Sequence, residues 1–304
     1  MLDFRVLQLS DRDWVQAALS QSEFMGCEYS FANNLAWRRA ADTRCARFEN
    51  LYICASFDTE DGVPVFYYPA GSGDIKRAFR EMAEMAVSGK HPLAVIGVTE
   101  DKLTLLREIL GESLDAEPYP DGFDYIYETR EIIEMSGKKY HKKRNHLAQF
   151  RKSYEDYTFS EMTEADFDEC ISMSANFYNE KHGYTDRSSV AEQFAIHTYF
   201  SHFHELGLKG GVLRVDGKFA GFSIGERLNK NTFVTHIEKA DVKYKGAYTA
   251  LTQFFTECFA ADCKYINREE DLGIEGLRKA KESWYPVFLL KKYRCTFGHP
   301  ENLI

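Results

Sequence analysis

Apolar positions along this chain switch between the spacing of helix faces and that of strands, in two similar passes. In the first pass residues 4–9 read as a short strand, 11–22 and 31–41 as helices, and 45–57 and 63–70 as strands. Within 71–89, Ile75, Phe79, Met82 and Ala86 recur at i, i+4, i+7 and i+11, which predicts a helix with one buried face. The apolar run at 92–98 predicts a buried strand, followed by a helix at 101–111 and a strand at 123–129. The second pass follows a basic helix at 138–154, with a strand at 157–162 and helices at 165–181 and 189–207. The alternating stretch 208–240 breaks at Asp216-Gly217, suited to a tight hairpin, and more loosely at Asn229-Lys230-Asn231. A helix at 248–262 turns Leu251, Phe254, Phe255 and Cys258 inward. A strand at 264–270, a charged helix and a closing apolar strand at 287–297 complete the chain.

Strand, two helices, antiparallel strands, helix, strand, helix, strand is the order of a GNAT acyltransferase domain, and the first pass resembles a degenerate copy of it. The expected fold is therefore α/β (α+β): two tandem GNAT-like domains, each a mixed, mostly antiparallel sheet flanked by helices. Residues 1–135 would form the degenerate domain and 136–304 the one with the active site.

Composition narrows the function. With 304 residues, 44% of them hydrophobic, the chain can bury a sizeable core. No apolar run approaches the roughly 20 residues of a membrane span, and the first residues lack the pattern of a secretory signal. Seven cysteines without C-x-x-C spacing read as reduced thiols, so a cytoplasmic protein is expected. His202 and His204 miss the i, i+4 spacing of a helical metal pair, and no metal is expected. A net charge of −9 argues against a surface built throughout for nucleic acid.

Three segments carry candidate chemistry. Lys243, Tyr244, Lys245, Gly246, Ala247 and Tyr248 form a strand-to-helix turn, where unpaired N–H groups suit a phosphate and Gly246 permits close approach. Lys138, Lys139, Lys142, Lys143 and Arg144 begin the most basic run of an acidic chain. On a helix Lys138 would share a face with Lys142 and Lys139 with Lys143, forming a platform for a polyanion or simply a solvated linker. The third is NREEDLGIEGLRKAKESWYP, residues 267–286. Capping by Asp271 and the spacings Glu275–Lys279 and Arg278–Glu282 account for part of its charge. Asn267, Glu269, Asp271, Arg278 and Lys281 are left as a candidate catalytic set. A carboxylate there would assist an attacking amine or hydroxyl, beside cations for a charged substrate. Tyr248 and Tyr285 are candidate proton donors, with core packing the competing role.

Residues 267–286, with KADVKYKGAYTAL and KKYHKKRNHLAQFRK upstream, closely resemble the C-terminal catalytic domain of the lysylphosphatidylglycerol synthases. That family is similar in turn to the Fem-type peptidyltransferases. The resemblance implies a soluble acyl- or aminoacyl-transferase whose donor is acyl-CoA or an aminoacyl-tRNA. The acceptor would be a small molecule, a lipid headgroup or a peptide, and Asp271, Arg278 and Lys281 would match the family motif. The GNAT pyrophosphate loop, typically R/Q-x-x-G-x-G/A, keeps here only Gly246 and Ala247, which leaves the donor open. The alternative is a non-catalytic module recognising anionic lipid headgroups or a cell-wall precursor.

Overall fold

The computed structural model describes residues 2–111, 114–181 and 187–304, without the side chains of 177–181 and 187–189. The chain divides into two compact units, Met1–Phe123 with Leu290–Ile304, and Asp124–Leu289. This differs from the expected boundary, because the strand at 124–128 opens the second unit and the last residues return to the first.

The first unit runs β1 (Arg5–Val6), α1 (Arg12–Ser22), α2 (Phe31–Trp37), β2 (Thr43–Phe48), β3 (Leu51–Ser56), β4 (Val65–Tyr67), β5 (Ala70–Gly71), α3 (Ile75–Gly89), β6 (Leu93–Val98), α4 (Glu100–Leu110) and β7 (Asp115–Pro118). Asp74 caps α3 by accepting the Arg77 N–H at 3.1 Å, and Phe79, Met82 and Ala86 bury its inner face as their spacing predicts. In this sheet β4 pairs with β6 in parallel, and the other pairings are antiparallel.

The second unit holds β8 (Asp124–Glu128), α5 (Thr129–Glu134), α6 (His141–Ser153), β9 (Tyr157–Glu161), α7 (Phe167–Lys181), α8 (Arg187–Ser201), α9 (Phe203–Leu206), β10 (Lys209–Val215), β11 (Lys218–Arg227), β12 (Thr232–Ala240), α10 (Ala247–Phe259), β13 (Tyr265–Asn267), α11 (Glu275–Glu282) and β14 (Phe288–Leu290). Its strand order is β14-β8-β13-β12-β11-β10-β9. Asp216 and Gly217 are both left-handed, as the predicted tight hairpin requires. Leu251 and Phe255 of α10 are buried against the sheet, whereas Cys258 is exposed rather than inward. The apolar stretch 287–297 is two strands, not one. β14 joins the second unit's sheet beside β8, and β15 (Tyr293–Phe297) lies between β6 and β7 of the first.

Two local features shape the middle of the second sheet. β12 and β13 are parallel neighbours, and their register stops at Val234 opposite Asn267. β13 is shorter than the predicted 264–270 because Glu269 turns left-handed at φ 59°, its N–H held by the Asn267 side chain at 2.7 Å. In addition, Ile224 pairs with Ile237 while Gly225 pairs with Thr235, so His236 is the extra residue of a bulge in β12. The bulge resets the alternation. Phe233 and Glu238 face α10, and His236 and Lys239 face α8.

Candidate functional site at the parting strands

Where backbone pairing between β12 and β13 ends, side chains take over, with ion pairs on both faces of the sheet. On the α8 face His236 is fully buried between two carboxylates. Its Nδ1 lies 2.8 Å from Glu269 Oε1 and its Nε2 lies 3.2 Å from Glu226 Oε1. Burial alone would lower the pKa of this imidazole. The hydrogen bonds and charges of Glu226 and Glu269 overcome that and push it up to about 9, so His236 is a cation at neutral pH. Tyr199 of α8 stacks on the ring at 5.3 Å, and Lys239 pairs with Glu192 at 3.1 Å. On the α10 face Arg268 pairs with Glu238 at 2.6 Å, and Glu238 also accepts from Thr252 at 2.8 Å. Arg268 lies over the rings of Tyr127 and Trp284, each centroid 5.8 Å away, and Lys143 Nζ sits 4.2 Å from the Trp284 ring centroid.

Most of the residues singled out in the sequence brace this site rather than enter it. Asp271 is buried and accepts from Arg278 Nε at 2.7 Å, Arg278 Nη2 at 2.9 Å, the Tyr125 hydroxyl at 2.7 Å and the Gly273 N–H at 2.8 Å. The Arg278 bond, outweighing burial, holds its carboxyl down at about 2, which makes it a weak base near neutral pH. Asp271 does not cap α11 either. Ile274 occupies the N-cap, and Asp271 closes the turn before it. Lys281 is buried and donates to the carbonyls of Arg268 and Glu270, while Asn267 donates to Asp124 at 2.8 Å. Asn267, Asp271, Arg278 and Lys281 thus fix the 267–273 backbone, and Glu269 alone of that set reaches the ion cluster.

The phosphate-loop expectation meets a similar difficulty. The N–H groups of Lys243, Tyr244, Lys245 and Ala247 already donate within the protein, and Lys243 pairs with Asp241 at 2.5 Å. Gly246 is needed for another reason. It is left-handed at φ 86°, and a Cβ there would come within 2.4 Å of the His146 carbonyl on α6. The hydroxyl of Tyr248 is half-buried against the Ala240 backbone, and Tyr285 is exposed.

The basic run also divides. Lys138 and Lys139 precede α6 in a turn rather than sharing helix faces with Lys142 and Lys143. Lys139 pairs with Glu131 at 2.8 Å, and Arg144 folds onto the carbonyls of Met135 and Gly137. Lys142 is exposed, and Lys143 turns in to donate to Ser283 Oγ at 2.7 Å. Glu226, His236, Glu238, Lys239 and Arg268 were not singled out by the sequence reading. For the first four the signal is polarity inside strands otherwise apolar enough to be central, and Arg268 directly follows such a strand.

Two tandem units, each a mixed sheet with one central parallel pair, define the GNAT-like transferase fold. Residues 20–296 match the family described as phosphatidylglycerol lysyltransferase, C-terminal, and the chain belongs to that family. A conserved protein of unknown function from Bacteroides thetaiotaomicron is 35% identical, with a TM-score of 0.92 over 98% of this chain and 100% of that one. L-PGS from Bacillus licheniformis is 16% identical, with a TM-score of 0.64 over 95% of this chain and 93% of that one. FemX shares the fold at 9% identity, with a TM-score of 0.61 over 99% and 98% of the two chains. An uncharacterized protein of Mycoplasmoides gallisepticum is 28% identical over 172 residues, 56% of this chain and 54% of that protein. The match thus spans about half the length of that curated relative. Among the described residues no helix is long and apolar enough to cross a membrane.

Proposed function

We propose that this protein is an aminoacyltransferase that takes an aminoacyl group from a charged tRNA and passes it to a hydroxyl or amine acceptor. The chemistry is placed where β12 and residues 267–271 part. Family membership and fold support transfer of this class. The Glu226–His236–Glu269 cluster carries the placement. A doubly bonded imidazolium fixes two carboxylates in one orientation, and Glu269 is the more exposed of the two. Among the described residues the α8 face has the carboxylates Glu192, Glu226 and Glu269 against the cations His236 and Lys239. Glu269, the more exposed carboxylate of the cluster, is the group suited to the ammonium of an aminoacyl ester. The acceptor oxygen or nitrogen would attack the ester carbonyl, forming the new acyl bond. The bond between that carbonyl carbon and the ribose oxygen would break, and the ribose hydroxyl would leave carrying the acceptor's proton.

The donor choice is supported by the 243–248 loop, whose N–H groups are largely spent internally. A coenzyme pyrophosphate finds few donors there. The test is transfer of a labelled group from lysyl-tRNA, a set of other aminoacyl-tRNAs, or acetyl-CoA to phosphatidylglycerol vesicles and to small amines. Transfer from tRNA is expected, reduced at least tenfold by Glu269→Gln and by His236→Asn. Label arriving from acetyl-CoA instead, or transfer indifferent to both substitutions, would overturn the reading.

A further inference from the structure

We infer that Lys143 and Arg268, which meet over the indole of Trp284, form a binding site for a phosphodiester oxyanion. Its source in the proposed reaction is the 3′ end of the donor RNA, so that attribution rests on the functional reading above. The site itself rests on unbalanced charge. Arg268 directly follows β13 and spends Nη2 on Glu238, while its Nη1 is buried with no hydrogen-bond partner among the described residues. A buried guanidinium nitrogen left unbonded costs free energy that an acceptor would recover. Lys143 comes from α6, a different element, and its Nζ bonds the neutral Ser283 Oγ. Glu238 faces both cations but is itself shared between Arg268 and Thr252. Burial, then repulsion from Arg268, draws the Lys143 amine down to about 8 against the opposing pull of Glu238. Aromatic rings lie beneath both cations, so neither ring supplies the anionic partner that the two charges lack. An arginine fork beside a lysine point charge is the pairing that holds phosphate oxygens. The rest of the basic run contributes little here, since Lys139 and Arg144 are engaged elsewhere.

The test is calorimetry on the full chain with three probes: inorganic phosphate, the trinucleotide CCA, and phosphatidylglycerol vesicles. Phosphate and CCA should bind, CCA more tightly. Lys143→Gln and Arg268→Lys should each weaken CCA at least tenfold, while Lys142→Gln, exposed on the same helix, should leave it unchanged. As an independent readout, the NMR titration of ¹³C-methylated Lys143 should move upward when phosphate is bound. Circular dichroism of each variant separates lost binding from lost folding. Unchanged CCA affinity in folded Lys143→Gln and Arg268→Lys, or an unmoved Lys143 titration, would overturn the site. Vesicles binding through these residues while CCA does not would overturn the RNA assignment. Intact phosphate binding without any transfer from tRNA would overturn the functional reading and leave this site standing.

Discussion

At Asp271 four hydrogen bonds from Arg278, Tyr125 and Gly273 converge on one buried carboxylate, and the consequence is thermodynamic. Its pKa falls from 3.8 to about 2, so the unfolded chain holds its proton more tightly than the folded one. That contribution, roughly 2 kcal/mol, is fully present above pH 4 and lost as pH falls through 2. Asp271→Asn should therefore lower stability by about 2 kcal/mol at pH 7 in urea melts, with the difference from the parent shrinking toward pH 2. His236 has the opposite sign. Its pKa rises from 6.5 to about 9, so its contribution is complete below pH 6.5 and disappears as pH climbs through 9. Melting temperature should fall over that window, and His236→Gln should flatten the fall. An equally steep fall in the variant would assign the effect to other groups. These two residues also show what the sequence concealed. Asp271, Arg278 and Lys281 are conspicuous because their charges crowd one segment, yet crowding reflects their bracing of one another's backbone. Glu226 and His236 are ten positions apart on different strands and meet only through the β12 bulge, which no periodicity announces.

Gly246 makes the case at the level of elements. The sequence reading treats it as room for a phosphate, whereas the structure uses it as room for α6. Gly246→Ala would place a Cβ within 2.4 Å of the His146 carbonyl at φ 86°, and a backbone oxygen cannot swing aside. A loss of roughly 2–3 kcal/mol is expected, combining left-handed strain with overpacking. Gly217, left-handed at φ 69° with open space around its missing Cβ, is the matched control, and Gly217→Ala should cost only about 1 kcal/mol. Equal losses at the two sites in denaturant titrations would mean that the α6 contact carries no weight. Most elements were legible because their signals are local: the α3 spacing, the Asp216-Gly217 turn, the buried run of β6. The errors arose where a boundary depends on distant contacts. α6 begins three residues later than its charges suggest, after a turn containing left-handed Gly137. β13 stops at Asn267 because a side chain of its own captures the next turn.

Over the whole chain, the largest departure from the sequence reading is the path of the last strand. Residues 287–297 read as one apolar strand closing the second domain, yet only β14 stays there, and β15 becomes an inner strand of the first unit. Nothing within the segment announces this, since partner choice in a sheet is set by the edges waiting for it rather than by the strand's own pattern. The consequence is a dependence of the first unit on residues that come last. β15 hydrogen-bonds β6 on one side and β7 on the other, and Cys295 and Phe297 are buried in the first unit's core. A chain ending at Leu290 keeps every strand of the second sheet. It leaves β6 and β7 as unpaired edges around a vacated core position, a loss well beyond the margin of an ordinary domain. Hydrogen exchange on that truncated chain should show amides of 43–98 losing protection while those of 209–240 retain theirs. Adding residues 291–304 as a peptide should restore protection to 93–98 first, where β15 pairs with β6. Full protection of the first sheet without the peptide would show that its other strands suffice, and β15 would then be an accessory rather than a closing strand.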